Sequence, residues 1–530
     1  MKFLSLLLAG CTLFPVFAQE VSTASTEEFT NNRPEAHWHK MLGQDATGYY
    51  VLRKSGSMTD EHLWLEKYSP ALKFISSSDI VGTSGVMGAS LLHRFTEFNN
   101  GKVLIFLEGW NKAEGKNSLI VKEIDENGKP DEKGLVLETE FSQSQFKSAD
   151  YSVSFSPDGS KLLVMTEKPF VKGEREEVRL QVFSTLDYSS IWLQEMTLEN
   201  ESERYPTNSI KVNNDGIAYL YKDIKISNKE HMYQLITSGK EFTRVKTLDL
   251  GGYFPTDYRM LIDPSGKLVI GGALATAGES ADNWRATWYL QSNPEGDVLT
   301  NNVEQLGATI LRYGLSEKAS QVPNASLDYF TLRDVLLKPA GGIILLTEYE
   351  RKTANAIGTV TPPVYQTEYI FGNVIALSLD GAGNRLWSNV LEKRQSELTL
   401  VPEKHYGSFT YQLKDDNLYM VWNYTDLHMD VPIHTWRYWF DRTGNKINID
   451  NLYGKEALYP SLLTVINADG TFRYADRTFN SLPLTEIQRP NAFPMAIDPA
   501  YFFPTAEGIV VLARIAGPDT KRFKFNTIKY

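Results

Sequence analysis

Short apolar segments separated by turns fill the chain from about residue 49 to its end. Each has six to nine residues and is rich in Val, Ile, Leu, Tyr and Phe. This length, the β-branching and the flanking turns are typical of β-strands, and no segment keeps the 3.6-residue period of a long helix. The clearest segments are YYVLRK at 49–54, KVLIFLE at 102–108, KLLVMTE at 161–167, KLVIGGA at 267–273, GIILLTEYE at 342–350, NLYMVWNY at 417–424 and GIVVLARIA at 508–516.

Turns of one kind precede many of these strands. Asp or Asn stands next to Gly in NNG, SPDG, NNDG and NADG, a pair that supplies the positive φ of a tight hairpin turn. Gly159, directly after Asp158, is expected to have such a φ. The recurring turn positions are Gly48, Gly101, Gly159, Gly216, Gly266, Gly342, Asn417, Gly470 and Gly508. Subtraction gives spacings of 53, 58, 57, 50, 76, 75, 53 and 38 residues.

This spacing predicts an all-β fold, a single β-propeller of seven or eight four-stranded blades. Units of about 40–50 residues with four strands are the signature of propeller blades. The third unit has the strand order SVSFS, KLLVMTE, EVRLQVFS and SIWLQEMTL. The two long spacings predict insertions around 316–326 and 353–367. A pair of β-sandwiches would not sustain this spacing from end to end, and a β-helix would have a much shorter period.

A propeller must join the two ends of its chain. The C-terminal segment 521–530 has Phe523 and Phe525 on one strand face, while Ile528 and Tyr530 have the opposite parity. We therefore expect this segment to form a strand that closes the ring, with a bulge or face switch near Asn526. The strand at 49–54 is expected in the same blade or in its neighbour.

The first residues have the pattern of a secretory signal peptide. Lys2 precedes an apolar stretch from Phe3 to Phe17, and Ala18 is followed by Gln19 and Glu20. The expected division is a signal peptide at 1–18, an N-terminal linker at 19–44 and the propeller at 45–530. Leu8-Ala9-Gly10-Cys11 also resembles the lipobox of bacterial lipoproteins, so a lipid anchor at Cys11 is the alternative to a secreted or periplasmic protein.

Composition excludes several functions. With Lys plus Arg at 54 and Asp plus Glu at 65, the net charge of −11 is a poor match for nucleic acid or an anionic membrane. No segment after the leader is apolar enough to predict a transmembrane helix. Cys11 is the single cysteine, so a chain cut after Ala18 would have no disulfide and no cysteine nucleophile.

Two repeats resemble known propeller families. Tyr151 to Thr166, with Ser156-Pro157-Asp158-Gly159 and Lys161-Leu162, resembles the WD40-like repeat of periplasmic propellers, including the Tol-system propeller. Residues 262–268 are a looser copy. Residues 380–387, which end in Trp387, resemble the tryptophan-bearing repeat of quinoprotein-like propellers, but they occur once. The whole chain is similar in style to uncharacterised secreted propellers of Bacteroidetes-type bacteria. These resemblances imply the propeller fold and carry no activity.

Candidate metal sites are few, and we expect no metal and no cofactor. His428, Asp430 and His434 include proper metal ligands, but they fall in a predicted surface loop. His37 and His39 would share one face of an extended segment. Asp125 and Asp131 flank a glycine as in a calcium loop, but Gly128 comes too early for the EF-hand pattern. A charged hairpin turn explains that segment better.

An aromatic cluster supplies the ligand-binding candidates, which are Trp422, Trp436, Tyr438 and Trp439. One interpretation is a stacking platform for a sugar or a peptide. The other is packing between blades, because aromatic residues on both faces of a strand suit a sheet that is buried on both sides. The sequence favours packing.

The predicted function is therefore binding of a protein, peptide or glycan partner in the bacterial envelope, without catalysis. A glycosidase or lyase acting at the propeller channel is the alternative, because two of the acidic residues would suffice for such chemistry. A scaffold subunit of an envelope complex is the third interpretation. The sequence has no G-x-S-x-G nucleophile motif, no phosphate-binding loop and no H-E-x-x-H.

Overall fold

The structure is a computed structural model. It describes residues 22–27, 29–30, 37–55, 62–80, 90–125, 128–142, 147–203, 207–227, 230–276, 278, 280, 282–357, 364–393, 395–399, 407–423, 438–440, 446–448, 461–472, 492–493, 497–515 and 522–530.

Eight four-stranded antiparallel sheets form a ring, so the protein is a β-propeller with eight blades. In blades 1 to 4 the strands follow one another as simple meanders. These strands are β3 (His37–Asp45), β4 (Gly48–Ser55), β5 (His62–Tyr68) and β6 (Phe74–Asp79) in blade 1; β7 (Ser90–Asn99), β8 (Lys102–Asn111), β9 (Lys116–Glu123) and β10 (Leu135–Phe141) in blade 2; β11 (Asp150–Phe155), β12 (Lys161–Glu167), β13 (Arg175–Ser184) and β14 (Ser190–Glu201) in blade 3; β15 (Thr207–Val212), β16 (Ala218–Lys225), β17 (His231–Gly239) and β18 (Phe242–Leu248) in blade 4.

Blades 5 to 8 follow the same plan, and the last one includes both chain ends. Their strands are β19 (Tyr253–Ile262), β20 (Leu268–Thr276), β22 (Ala286–Ser292) and β23 (Val298–Gln305) in blade 5; β25 (Phe330–Leu337), β26 (Ile343–Ile357), β27 (Val364–Leu379) and β28 (Arg385–Leu391) in blade 6; β30 (Phe409–Lys414), β31 (Asn417–Asn423), β34 (Ser461–Ile466) and β35 (Ala492–Phe493) in blade 7; β36 (Ile497–Thr505), β37 (Gly508–Ile515), β38 (Arg522–Lys529) and β1 (Ser22–Ser25) in blade 8.

The remaining elements are short additions to this ring. β2 (Phe29–Thr30) also pairs with β38, and β29 (Gln395–Thr399) pairs with β27. Both insertions expected from the long spacings are present. The first contains the helices α1 (Ala308–Leu311) and α2 (Glu317–Ser320) and the strand β24 (Leu327–Asp328), which pairs with β21 (Asn283–Trp284) from the connection between β20 and β22. The second is the extended hairpin of β26 and β27. β32 (Tyr438–Phe440) and β33 (Lys446–Asn448) pair with each other in the second connection of blade 7, between β31 and β34.

The first strand of each blade lies nearest the axis of the ring. First strands of adjacent blades contact one another at six of the eight junctions, namely β3 with β7, β11 with β15, β15 with β19, β19 with β25, β30 with β36 and β36 with β3. The fourth strands therefore lie at the periphery. Successive hairpin turns of a meander alternate between the two ends of its strands. We call the end with the first and third turns of each blade the turn face, and the end with the second turns and the links between blades the connector face.

One hydrophobic cluster fills each of the eight junctions between blades. β8 explains why its segment is apolar without interruption. Val103, Ile105 and Leu107 pack against blade 1, while Leu104 and Phe106 pack against blade 3. Neighbouring blades cover both faces of every sheet. A strand in which polar residues alternated with apolar ones would therefore place polar side chains in one of the two junctions, so an uninterrupted apolar strand packs better.

The turn positions mark the blades. Eight of the nine stand in the turn between the first and second strands of a blade or begin its second strand, and Gly470 instead follows the third strand of blade 7. Gly159 has a φ of +68°, as its position after Asp158 predicts. Turn glycines also link neighbouring blades. The side-chain amide of an asparagine in one blade donates a hydrogen bond to the carbonyl of a turn glycine in the next blade. These pairs are Asn99 to Gly159, Asn213 to Gly266, Asn302 to Gly383 and Asn389 to Gly470.

The ring closes through both chain ends, as the propeller prediction requires. β38 lies between β37 and the N-terminal strand β1. The bulge expected near Asn526 is absent, since β38 pairs with β37 in one register from Arg522 to Lys529. Phe525 packs against blade 1 and Ile528 against blade 7, so the change of parity reflects burial on both faces.

The N-terminal boundary also differs from the expectation. Residues 19–44 were expected to be a linker, but β3 begins at His37 and forms the first strand of blade 1. Trp38 and Met41 of that strand are buried against blade 8. Leu42 of the same strand is buried against blade 2, so β3 packs on both of its neighbours. The polar residues of the segment hid this strand, because they interrupt the apolar run that marks the other strands. Residues 1–18 lie outside the described residues.

Candidate functional site

Charged side chains concentrate on the connector face. In blades 2 to 4 they begin at the exposed Arg94, whose guanidinium bonds the buried Glu108 and lies 2.8 Å from Oδ1 of the exposed Asp150. Asp150 starts β11 and lies opposite Glu167, the last residue of β12. This placement follows from the meander, which brings the start of each first strand beside the end of the second.

Glu167 and Glu176 connect blade 3 to blade 4. Asn208 Nδ2 donates to Oε1 of Glu167 at 2.6 Å. Lys222 Nζ, fully buried, lies 2.7 Å from Oε2 of Glu176. Asn200 Nδ2 donates to the same carboxylate oxygen at 2.8 Å, so the ion pair also anchors the end of β14.

Glu167 has an unusual pKa. Burial is the main cause that raises it, and the negative charges of Asp150 and Glu176 add to this effect. The hydrogen bond from Asn208 and the positive charge of Lys222 lower the pKa, but by less. The result is a pKa of about 7 against an ordinary value of 4.5, so this carboxyl group exchanges a proton near neutral pH.

A second network joins blades 6 and 7. The carboxylate of Glu348 is fully buried and lies 2.5 Å from Nζ of Lys393, which is also fully buried. Arg333 donates to Oε2 of Glu348 at 2.6 Å and contacts Glu350 at the same distance. Ser408 Oγ donates to Glu348 at 2.6 Å. Burial lowers the pKa of Arg333, but the charges of Glu348 and Glu350 outweigh it and raise the pKa above its usual value.

An open groove of about 800 Å³ crosses the connector face between blades 3 and 4. Its walls are the loop after β12, represented by Phe170, and the loop between β16 and β17, represented by Ile226. Residues 199–203, at the end of β14 and just beyond it, form the third side. Ile224, Lys225 and Met232 complete the lining. This volume falls in the range of ligand-binding clefts.

Backbone hydrogen bonds fix the walls of the groove. Ser202 N donates to the carbonyl of Glu174 at 2.7 Å, which ties the link between the blades to the loop of blade 3. Ile226 N donates to the carbonyl of Glu230 at 2.9 Å and closes the loop of blade 4. The groove is therefore built into the connector face by the same loops that join the strands.

The aromatic residues suggested by the sequence fall elsewhere. Trp422 is 3% exposed and packs between blades 6 and 7, so it offers no stacking surface. Tyr438 and Trp439 belong to β32, whose side chains lie outside the described part of the structure, as does Trp436.

The suggested metal ligands do not form a site where they are described. Among the described residues, no three His, Cys, Asp or Glu side chains converge on one point. His428, Asp430 and His434 lie outside those residues. Asp125 instead accepts a hydrogen bond from the backbone N of Lys129 at 2.8 Å, as in a hairpin turn. In the described part of the chain, no helix has the length and hydropathy to cross a membrane.

Sequence reasoning missed Phe170, Ile226 and the glutamates at 199, 201 and 203. An apolar pair, Phe170-Val171, inside the polar loop KPFVKG was a usable signal. Nothing in the sequence indicated that a loop more than 50 residues away would face it.

The fold defines the class of protein as a β-propeller, and comparisons with known proteins add no narrower class. No protein-family model matches the chain, and no curated protein matches it. Among solved structures, the β-propeller domain of the Trilobed protease from Pyrococcus furiosus is 8% identical with a TM-score of 0.35, over 87% of this chain and 99% of that one.

Two other solved structures are similarly distant. Prolyl oligopeptidase B from Galerina marginata is 9% identical with a TM-score of 0.37, over 92% of this chain. The matched part is only 56% of the length of that protein. The polysaccharide lyase Uly1 is 10% identical with a TM-score of 0.34, over 93% of this chain and 90% of that one. At such low sequence identities and TM-scores, these similarities say nothing about activity.

Proposed function

We propose that this propeller is a non-catalytic binding protein whose partner docks in the groove between blades 3 and 4. The observation that supports this proposal is the groove itself, which places the exposed side chains of Phe170 and Ile226 beside hydrogen-bonded backbone. Phe170 is 39% exposed and Ile226 is 58% exposed. Apolar side chains held open at the rim of a cleft are typical of binding sites.

The buried charges beneath the connector face favour binding over catalysis. A catalytic acid or base must reach its substrate. Glu176 is buried against Lys222, and Glu348 is buried against Lys393 and Arg333. Carboxylates that are enclosed with cationic partners stabilise the junctions between blades and are not free to approach a substrate.

A peptide array and a glycan array test this proposal with the purified full chain. We expect retained ligands to bind at least about tenfold more weakly to Phe170→Ala and Ile226→Ala, because each change removes part of the apolar contact. Leu186→Ala is the matched control, since Leu186 is 89% exposed in a turn on the opposite face. Equal binding by all three variants would show that the groove is not the binding site.

Glycoside hydrolysis or lysis is the second candidate function, and the pKa of Glu167 favours it. A carboxyl group with a pKa of about 7 is suited to donate a proton at neutral pH. Incubation with a panel of polysaccharides tests this candidate. Turnover that Glu167→Gln abolishes, in a variant that stays folded, would replace the binding proposal with an enzymatic one.

We propose that the protein is exported from a bacterial cytoplasm after cleavage behind Ala18. Such a cut would leave β1 and hence the closing strand intact, since β1 begins at Ser22. The similarity of residues 151–166 to periplasmic Tol-system propellers supports a partner in the envelope. N-terminal sequencing should find Gln19 first and a thiol assay should read zero. A lipid on Cys11 would instead indicate a membrane anchor.

A further inference from the structure

The groove between blades 3 and 4 has a charge as well as a shape. Glu199 and Glu201 are exposed at its rim and Glu203 is half-buried. Within the described residues, none of these three carboxylates has an ion-pair partner. Lys225 is the one cation in the described lining. Three glutamates against one lysine leave a net charge of −2 at the rim.

Apolar surface lies directly beside these charges. Phe170 and Ile226 approach the groove from opposite walls, and the buried Ile224 and half-buried Met232 lie under the second wall. A ligand that satisfies both features must present an apolar group and a positive charge within a few ångströms of each other. Inorganic cations lack the apolar group, and a neutral sugar lacks the charge.

The backbone beside the groove indicates the shape of this ligand. β14 is the fourth strand of blade 3, and no other described strand pairs with its outer edge. The lining includes the consecutive residues Glu199, Asn200 and Glu201 of this strand. Because successive side chains of a strand point to opposite faces, such a run means that the groove follows the strand edge. An exposed strand edge pairs readily with an extended peptide.

We infer that the groove binds an extended peptide segment in which Lys or Arg alternates with large apolar residues. This inference rests on the proposed binding function and specifies its ligand. The cationic side chains reach the glutamates at 199, 201 and 203, and the apolar side chains pack on Phe170 and Ile226. The backbone of the peptide continues the sheet beyond β14.

Fluorescence anisotropy with labelled eight-residue peptides tests this inference on the full-length protein. The probes alternate leucine with lysine, leucine with glutamine, leucine with glutamate, and serine with lysine. We expect the leucine–lysine peptide to bind at least about tenfold more tightly than each of the others, with a Kd that rises with salt. Equal affinity for leucine–glutamine would overturn the charge inference while leaving the binding function standing.

Matched variants locate the binding site. The triple variant E199Q/E201Q/E203Q should weaken leucine–lysine binding at least about tenfold. The control E132Q/E241Q/E295Q changes the net charge equally, at exposed glutamates in turns of the opposite face, and should bind like the parent. Melting temperatures confirm that both variants are folded.

Two further results would contradict the inference. Equal losses in both triple variants would mean that the peptide responds to overall charge and not to this groove. Binding of oligosaccharides alone, with no affinity for any of the four peptides, would exclude a peptide ligand. Absence of all binding would instead contradict the proposed function.

Discussion

Ser25 Oγ donates a hydrogen bond to Oδ1 of Asn526 at 2.6 Å, although 501 residues separate them in the chain. The contact joins the outermost strand of blade 8 to the C-terminal strand. Phe525, the residue before Asn526, is buried against Trp38 and Tyr68 of blade 1. The ring is therefore closed both by backbone pairing and by a hydrophobic contact.

Deleting residues 522–530 should open this ring. The deletion exposes β1 and β37 as unpaired edges and removes Phe525 and Ile528 from two blade junctions. We expect aggregation or rapid proteolysis, measured by light scattering and a trypsin time course. Phe525→Ala is a milder test and should cost about 3–5 kcal/mol of unfolding free energy. A truncated chain that stays monomeric, protease-resistant and equally thermostable would contradict closure by β38.

Gly159→Val should destabilise blade 3. Its φ of +68° disfavours a β-branched residue, and a Cβ there would come within 2.3 Å of Oδ1 of Asn99. Strain of this kind costs about 1–3 kcal/mol, and the lost contact with Asn99 adds to it. Urea unfolding measures the change.

Two other glycines separate these causes. Gly173→Val changes a residue with φ +80° that has no neighbouring atom within 4 Å of its Cβ position, so it should show the backbone strain alone. Gly381→Val has neither a positive φ nor such a neighbour and should be close to neutral. If all three variants melt alike, the turn at Gly159 imposes no special constraint.

The blade plan was predictable because it depends on local rules. An Asx-Gly pair fixes a tight turn, and a sheet covered on both faces needs an uninterrupted apolar strand. The turn spacing therefore predicted seven or eight blades, and the structure has eight. Gly470 supplied a ninth turn position because the third turn of a blade can have the same sequence as a first turn. The prediction of a bulge near Asn526 was wrong, because the alternation of apolar residues was interpreted as if only one face of β38 were buried.

The candidate site depends on long-range placement, which no local rule supplies. Phe170 and Ile226 meet only because their loops lie on the same face of adjacent blades. The aromatic cluster around Trp422 is dense in the sequence, but density does not show which side chains are exposed. Only an exposed aromatic side chain can contact a ligand. The packing of Trp422 between blades agrees with the alternative that the sequence favoured.

Glu348→Gln should be strongly destabilising. The change leaves Lys393 buried without its carboxylate partner and removes an anionic contact of Arg333. Breaking a buried pair in this way costs about 3–5 kcal/mol. Chemical denaturation at neutral pH measures this cost. Glu97→Gln is the control, since its pair with Lys40 is largely solvent-exposed and should contribute less than about 1 kcal/mol. Similar losses in both variants would contradict the role given to burial.

Replacing Glu167 should change how stability depends on pH. In the folded protein the carboxyl group has a pKa of about 7, while in the unfolded chain it has the ordinary value of 4.5. Between these two values the folded state binds more protons than the unfolded state. The contribution of Glu167 to the free energy of unfolding therefore falls as pH rises through this window, and above pH 7 the full loss is present.

Glu167→Gln removes this loss because the amide is neutral at every pH and can still accept the hydrogen bond from Asn208. We expect the variant to match the parent near pH 4 and to exceed its unfolding free energy by at most about 3 kcal/mol at pH 8. Urea unfolding across this pH range measures the difference. Glu241→Gln, at an exposed turn, should show no such trend. If the difference in unfolding free energy between the variant and the parent stayed constant with pH, or grew toward pH 4, Glu167 would be ionised across this pH range in the folded protein. The contacts between blades 3 and 4 would then hold a negative charge at Glu167.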